Sequence, residues 1–360
     1  MKVIMVAGGT GGHIYPALAI INKIKENDKD SKFLYIGTVD RMEKDIIPPL
    51  GIPFVGIEMS GLDRKHFFSN FSVAKKFFHA VKRAKEIIQD FHPDIVIGAG
   101  GYITAPVLYA AHQLKVPILI HEQNSIPGVS NKFIGNFATR ICVSLPNSLG
   151  MFPKDKVVYT GNPRSEEILS VPKCGRETLG FHKNKKLVVV VMGSLGSTTM
   201  TTKIKELIPS FLGKDYQVLV ITGKKYYDDY AKLDIPENVK VVPFMENLIQ
   251  LLRDTDLIIS RAGASTIAEI TAIGLPAILV PSPYVTNNHQ YKNAKELEDA
   301  GACRIVTEEE FSKEVILDSI DSIFADDIAY QKMVEDSKKL GIPNSATRIY
   351  EEAKKIVNNR

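Results

Sequence analysis

Short apolar runs, several of them ending at glycine and many followed by residues at helical spacing, recur along the whole chain. Residues 2–7 form the first. It passes into Gly8-Gly9-Thr10-Gly11-Gly12-His13 and then into a helical pattern reaching about Lys25, with Pro16 in its first turn. Strands follow at 33–36 and 54–57, separated by a helical segment after Asp40. A long helical stretch from about Phe67 to Gln89 leads to a strand at 94–97 and a second glycine turn, Gly98-Ala99-Gly100-Gly101-Tyr102. Strands at 117–120 and 140–143 continue the alternation. Residues 153–162 read as the end of this half, with a hinge at Gly161-Asn162-Pro163-Arg164.

The pattern then begins again. A strand at 187–191, the turn Gly193-Ser194-Leu195-Gly196-Ser197 and a helix at 200–209 precede strands at 217–221 and 240–242 and a helix at 246–253. Leu257-Ile258-Ile259 opens into Ser260-Arg261-Ala262-Gly263-Ala264-Ser265-Thr266-Ile267-Ala268-Glu269, a helix that Gly274-Leu275-Pro276 stops. A strand at 275–280, a helix at 288–299, a strand at 303–306 and three helical segments finish the chain. Apolar strands alternating with helices predict parallel sheets covered on both faces. Two such series in 360 residues predict two similar doubly wound α/β halves. Each carries two glycine-rich turns at the carboxyl edge of its sheet, where open sheets bind ligands. Two such edges facing across a cleft would make one site with two walls.

Composition changes this picture little. Apolar content of 44% and charged content of 24% fit ordinary packed cores. A formal charge of +4 is too small to suggest nucleic acid but suits an anionic surface or substrate. Cys142, Cys174 and Cys303 lie far apart without CxxC spacing, which points to neither zinc nor disulfides and makes a reducing cytosol the expectation. The strand from Lys2 runs straight into glycines, leaving no room for a signal peptide, and no apolar run approaches a membrane span. Any membrane contact is expected to be peripheral.

The Ser260–Glu269 stretch has the form of a phosphate site. Small residues let a ligand approach the backbone, first-turn N–H groups point outward, and Glu269 lies near enough to bond a ribose diol. An ordinary strand-to-helix turn has the same letters. The first turn fails as a dinucleotide fingerprint, because the third glycine is missing and Tyr35-Ile36-Gly37-Thr38 ends without an acid. His13, in a first helical turn, is either a neutral base or a residue packing on its own loop. His121-Glu122-Gln123-Asn124, with Asn131 beyond, suits sugar hydroxyls or peptide groups, or satisfies its own backbone; Tyr102 is equally ambiguous. Arg164 and Ser194 are candidates for a diphosphate. Asp254-Thr255-Asp256 resembles a DxD metal motif but precedes its strand, about 13 Å from the turn, and reads as a helix end and strand start. Between Asp63 and Lys85 many cations interleave with phenylalanines. Phe67, Phe71, Ala74, Phe78 and Val81 share a stripe expected to be partly core, while the other phenylalanines and the cations suit an anionic bilayer or a solvated basic face.

Read together, GGTGGHIYPALAI, GAGGYITAP, HEQNSIPGVSNK, GNPR, SRAGASTIAEI and GLPAILVPSPYVTNNHQYKNA, in this order and over the whole chain, resemble glycosyltransferase family 28. Within it they resemble the enzymes that move GlcNAc from UDP-GlcNAc to the C4 hydroxyl of MurNAc in undecaprenyl-pyrophosphoryl-MurNAc-pentapeptide (lipid I). The resemblance implies an α/β GT-B fold, two Rossmann-like doubly wound parallel-sheet domains facing a central cleft. Residues 1–162, with a helix at 341–360 crossing back, would serve lipid I and the membrane, and residues 163–340 would bind UDP-GlcNAc. By matching position, Ala264, Ser265 and Thr266 would meet the diphosphate and Glu269 the ribose. Arg164 and Ser194 would face the nucleotide, Phe244 and Met245 the uracil, and His289 and Gln290 the GlcNAc. Thr10, Gly11, Gly12 and Asn124 of the amino half would also serve the donor, Asn124 matching an acceptor-side position as well, and Tyr102 and Asn131 the acceptor. His13 is the first choice of base and Glu122 the second, in an inverting displacement without metal or cofactor. Phe67, Phe68, Lys75, Lys76, Phe77 and Lys82 match the membrane-association patch. The implied place is the cytoplasmic face of the cell membrane, with an anionic surface and cell-wall synthesis proteins as partners and no nucleic acid. The third turn departs from the family's GGSQGA at Leu195 and Ser197. Within the fold, a diacylglycerol glycolipid synthase and a sugar-nucleotide 2-epimerase are the nearest enzyme alternatives, and a non-catalytic nucleotide-sugar sensor is the alternative of another class.

Overall fold

The apolar runs of the amino half become strands β1 (Lys2–Val6), β2 (Lys32–Thr38), β3 (Phe54–Ile57), β4 (Ile95–Gly98), β5 (Ile118–Glu122), β6 (Arg140–Val143) and β7 (Val157–Tyr159). They form one parallel sheet in the order β3-β2-β1-β4-β5-β6-β7. The helices between them are α1 (Gly11–Asn27), α2 (Glu43–Ile46), α3 (Asn70–Phe91), α4 (Thr104–Gln113) and α5 (Val129–Ile134). After α6 (Arg164–Ser170) come β8 (Lys186–Val191), α7 (Thr198–Leu207), β9 (Tyr216–Ile221), β10 (Val239–Val242), α8 (Leu248–Leu252), β11 (Leu257–Ser260), α9 (Ala264–Ile273), β12 (Ala277–Leu279), α10 (His289–Asp299), β13 (Cys303–Ile305), α11 (Lys313–Ala325) and α12 (Asp327–Leu340). Their six strands run parallel in the order β10-β9-β8-β11-β12-β13. The computed structural model of the chain describes residues 1–61, 70–193 and 197–359, with the side chains of 70–72 outside the description.

Each sheet is buried on both faces, which is why its strands read as continuous apolar runs. The two-residue period still decides which layer each residue enters. Val3, Met5, Phe33, Tyr35, Ile95 and Ile97 pack with Ile14, Ala17, Ile20 and Ile24 of α1. Ile4, Val6, Leu34, Ile36 and Val96 pack on the other side with Ala80, Ala84 and Ile88 of α3 and Val107 and Ala111 of α4. The second sheet divides the same way, with Val188, Val190, Val218 and Val220 in one layer and Leu187, Val189, Leu219 and Ile258 in the other.

Two compact units result, Met1–Arg164 with Asn344–Arg360, and Ser165–Pro343. The last helix, α13 (Ser345–Asn358), joins the first unit through Ile349, Tyr350, Ala353 and Ile356, which complete the α1 layer. Arg140 Nε pairs with Glu352 Oε2 at 2.9 Å, and Ser345 Oγ donates to the Asn162 carbonyl at 2.5 Å, fastening α13 at its first residue and near its middle.

Three expectations need correction. The stretch read as the end of the first half holds β7, which pairs with β6 from Ile141 and Val157 onward; three residues are too few for periodicity to reveal. The helix expected at 246–253 is only Leu248–Leu252. On α3 the core stripe is Val73, Ala80, Val81, Ala84, Ile87 and Ile88, a register that draws in Phe77 half-buried and turns Ala74 and Phe78 outward, Phe78 being 68% exposed. Phe77 and Phe78 thus exchange the places assigned to them. The missing information is helix rotation, which a stripe of phenylalanines alone does not fix.

The DxD triplet is structural. Arg176, 8% exposed, donates its N–H to Asp254 Oδ2 at 2.7 Å and its guanidinium to Asp256 Oδ2 at 2.9 Å. Asp256 Oδ2 also accepts the Leu187 N–H at 2.8 Å, so the triplet anchors the start of β8. Asp256→Ala removes the nearer of two carboxylates from a nearly buried guanidinium, leaving Asp254 Oδ1 at 3.5 Å, and takes away the side-chain acceptor of the Leu187 N–H; it should cost about 2 kcal/mol, read as a lowered thermal midpoint. An unchanged midpoint would contradict this anchoring role.

Candidate active site

In both sheets the strand order reverses at one boundary, β1/β4 in the first and β8/β11 in the second, and the glycine turns leave from those strands. At β1/β4 the Ala99 N–H donates to Val6 O at 2.8 Å and the Gly8 N–H to Gly100 O at 3.2 Å, which draws the two turns together. The approach excludes side chains. A Cβ on Gly101 would stand 2.4 Å from Gly8 O, and one on Gly100 2.5 Å from His13 Cδ2; both residues also have positive φ. The His13 ring therefore lies against Gly100. Its Nδ1 is 3.1 Å from Gly8 O and 3.5 Å from Thr10 Oγ1. A ring nitrogen facing a carbonyl carries the proton, so in the neutral ring the lone pair falls on Nε2. Thr10, exposed at the head of α1, caps the helix in extended conformation with no side-chain capping bond, and Gly11 and Gly12 form its first turn.

One feature here, Glu43, escaped the sequence reading. The second strand does end without an acid, but Glu43 folds back from α2 and is fully buried beneath the first turn. It accepts the Thr38 N–H at 2.8 Å, the Thr38 hydroxyl at 2.6 Å and the Gly9 N–H at 3.0 Å. Arg164, expected at a nucleotide, packs in the first unit with its guanidinium carbon 5.6 Å from the centre of the Tyr15 ring, and its N–H donates to Asn162 Oδ1 at 3.1 Å.

The His121–Asn124 run turns inward. His121 is fully buried, with Ser144 Oγ 3.1 Å from Nε2 and Gln123 Nε2 3.2 Å from Nδ1. Burial, opposed by a bond to the Gly161 backbone, lowers its pKa to about 4, so it stays neutral at physiological pH. Glu122 is 1% exposed and gathers its own loop: Asn124 N–H at 3.0 Å, Asn124 Nδ2 at 3.4 Å, Gly128 N–H at 3.0 Å and Asn131 Nδ2 at 2.9 Å. Burial raises its pKa and these donors lower it, the net shift being upward. Both oxygens serve the loop. Asn131 is itself buried, and its Oδ1 has no partner among the described residues. Tyr102 is half exposed and its ring covers Gly61, whose Cβ would fall 2.5 Å from Cζ.

In the second unit the expectation for Ser194, and the departure at Leu195, fall outside the described residues. The β11 turn is held by Arg261, 9% exposed, which the sequence reading passed over. Its guanidinium donates to Val280 O at 3.1 Å and Ser197 Oγ at 2.9 Å and pairs with Glu308. One buried cation thus ties the two turns of this boundary together. The helix after it, α9, starts from Gly263 in extended conformation with no side-chain cap and no acid in its first turn. Ala264, Ser265 and Thr266 are half-buried at that end, and Ser265 Oγ is buried with no partner among the described residues. Glu269, 7% exposed, follows on the same helix. An uncapped helix start with a buried hydroxyl favours an anion.

The α10 start is drawn to the same turn, as buried Asn293 donates to Ala262 O at 3.4 Å. Gln290 Oε1 accepts the Ser282 N–H at 2.8 Å, and His289 Nδ1 lies 2.9 Å from Thr286 O, with burial lowering its pKa. Phe244 is exposed beyond β10 with Lys224 Nζ 5.3 Å from its ring centre, while Met245 packs inward with Leu248.

On the expected membrane surface Lys75 and Lys82 are exposed and Lys76 pairs with Glu58 at 2.7 Å, whereas Phe67 and Phe68 lie outside the described residues. Phe133 of α5, 45% exposed, clusters with Phe77 and Phe78, the Phe77 ring centre lying 5.8 Å from that of Phe78 and 6.4 Å from that of Phe133. No helix among the described residues is long and apolar enough to cross a membrane.

Residues 3–143 match the glycosyltransferase family 28 N-terminal domain and residues 187–349 its C-terminal domain. The chain is 43% identical, over 99% of its length and the whole of the relative, to UDP-N-acetylglucosamine--N-acetylmuramyl-(pentapeptide) pyrophosphoryl-undecaprenol N-acetylglucosamine transferase of Bacillus cytotoxicus. It superposes on the crystal structure of Acinetobacter baumannii MurG with a TM-score of 0.78 at 28% identity, covering 98% of this chain and 99% of that one. UDP-GlcNAc 2-epimerase from Neisseria meningitidis, 17% identical over 99% of this chain and 100% of its own, shares the fold with a TM-score of 0.69. The two parallel-sheet domains are of the GT-B class, and the chain belongs to glycosyltransferase family 28.

Proposed function

We propose that the protein transfers GlcNAc from UDP-GlcNAc to the C4 hydroxyl of MurNAc in undecaprenyl-pyrophosphoryl-MurNAc-pentapeptide, inverting the anomeric centre. The observation that carries this reading is the start of α9, where an uncapped helix end, the buried Ser265 hydroxyl and the Glu269 carboxylate follow one another as diphosphate and ribose would require. The named activity of the Bacillus cytotoxicus relative supports it across the full chain.

The chemistry divides between the units. In the second, residues 165–343, the α9 first turn and Ser265 take charge developing on the leaving diphosphate, Glu269 holds the ribose, and His289 and Gln290 orient the sugar. Thr10, Gly11, Gly12 and Asn124 add donor contacts from the first unit, as does Arg164. In the first unit, residues 1–164 with 344–360, His13 Nε2 takes the proton of the attacking hydroxyl while Nδ1–H stays on Gly8 O. Glu122 shapes the loop that presents Asn124 and Asn131, and Tyr102 and Asn131 meet the acceptor. The Phe78, Phe133, Lys75 and Lys82 surface, with Lys76 and Phe77 behind it, rests on an anionic membrane at its cytoplasmic side, where a polyprenyl-linked acceptor is reached.

Radiolabelled UDP-GlcNAc with a lipid I analogue should yield a labelled disaccharide lipid and UDP; release of isomerised nucleotide sugar, or binding without turnover, would refute the transferase reading. His13→Ala should lower kcat by about 10²–10⁴-fold, and near-normal turnover would remove His13 from the mechanism. Glu269→Ala should weaken UDP-GlcNAc binding about ten- to hundredfold in calorimetry; unchanged affinity would dismiss the ribose contact. Replacing Lys75 and Lys82 together with Gln should reduce partitioning onto anionic vesicles about thirtyfold, and equal binding to neutral and anionic vesicles would discount the basic surface.

A further inference from the structure

The peptide unit between Gly8 and Gly9 is held by a side chain at each end. Its N–H, on Gly9, donates to Glu43 Oε2 at 3.0 Å, and its C=O, on Gly8, accepts from His13 Nδ1 at 3.1 Å. A trans peptide points these groups in opposite directions within its plane, so carboxylate and imidazole meet opposite edges of one conjugated unit. Glu43 Oε1 takes the Thr38 N–H and hydroxyl. A backbone N–H on each oxygen makes both acceptors, the arrangement of an ionised group. The site is built around that charge. A Cβ on Gly8 would come within 2.4 Å of Glu43 Oε1 and one on Gly37 within 2.5 Å of its Cγ, so both glycines make room for a carboxylate that is wholly buried. A charge taken out of water is retained only where it is paired or fully hydrogen-bonded.

Building on the assignment of His13 as the base, we propose that Glu43 is its positioning residue, acting through the Gly8–Gly9 peptide. The carboxylate draws on the Gly9 N–H, which shifts electron density to Gly8 O and makes it a stronger acceptor for Nδ1–H. The neutral ring is thereby held with its lone pair on Nε2. As the C4 oxygen bonds to C1 of GlcNAc, the C1–O bond to the diphosphate breaks and its electron pair leaves with UDP. The hydroxyl proton passes to Nε2, and the imidazolium that forms is stabilised at Nδ1 by the same carbonyl. In Ser-His-Asp sites a carboxylate does this by direct contact; here one peptide stands between. Two other groups near His13 do not replace it. His121 from β5 is buried and neutral, and the Thr10 hydroxyl is 3.5 Å from Nδ1.

Glu43→Gln keeps the shape and removes the charge. It should lower kcat about tenfold, the lower end for loss of an orienting partner, leave KM for UDP-GlcNAc unchanged and move the acid limb of kcat/KM to lower pH. In a His13→Ala background the same change should cost nothing further. A pH profile and kcat that stay in place while the melting temperature falls would overturn the proposal, leaving Glu43 a fastener of the turn, and so would a loss that adds in full to that of His13→Ala. Should Glu43→Gln fail to fold, imidazole nitrogen NMR of the unaltered protein decides: Nδ1–H is expected, and Nε2–H would overturn it. An inactive His13→Ala with an unaffected Glu43→Gln removes this proposal alone, whereas His13→Ala at near full rate removes the base assignment and this proposal with it.

Discussion

The close approach of two backbone turns at the β1/β4 boundary is the constraint on which the first unit's site depends. Gly8 bonds to Gly100, Gly101 admits no side chain beside Gly8 O, and the His13 ring occupies what remains. Backbone packed this tightly does not drift. A general base gains from that rigidity, because proton transfer falls off steeply when a nitrogen is misplaced by even an ångström. The second unit reaches the same end by other means, with the Arg261 guanidinium and Glu308 bridging its turns where glycines alone do so in the first.

That difference suits the role proposed for each turn. The β8/β11 boundary presents the uncapped start of α9, and a cation held behind it adds to the positive local field there. The β1/β4 boundary presents an imidazole that must stay neutral until it reacts. Fully buried, neutral His121 places no charge beside that ring, and the carboxylate of Glu43, one peptide away, favours the imidazolium that forms as it reacts.

The two-sheet architecture and both glycine-lined boundaries were legible in the sequence because parallel strands are apolar throughout and close backbone approach demands glycine. The last strand of the first sheet was not, since Val157–Tyr159 is too short to carry a period. Local letters also failed wherever a side chain answers to a distant partner. Glu43 belongs to the helix after β2, yet it serves Gly9; Arg261 sits inside the most readable motif, but Glu308 explains it. The outward aromatic surface needed α3 and α5 together, because Phe77 and Phe78 differ only by the rotation that packing sets and Phe133 comes from another helix. Asp254 and Asp256 were placed at the amino edge from their position alone, and Arg176 supplies the reason they are acidic.

The helix α13 carries a consequence for how the chain is made. Ile349, Tyr350, Ala353 and Ile356 close a core layer whose other members, Ile14, Ala17, Ile20 and Ile24, are synthesised first. Everything from Ser165 to Pro343 is threaded between them. On the ribosome the second unit is therefore complete, and free to fold, while the first still exposes an apolar stripe along α1. The Glu352–Arg140 pair and the Ser345 bond to Asn162 then act as the final latch of assembly. Folding of the unit that holds His13 is in this sense timed by synthesis of the unit that holds α9.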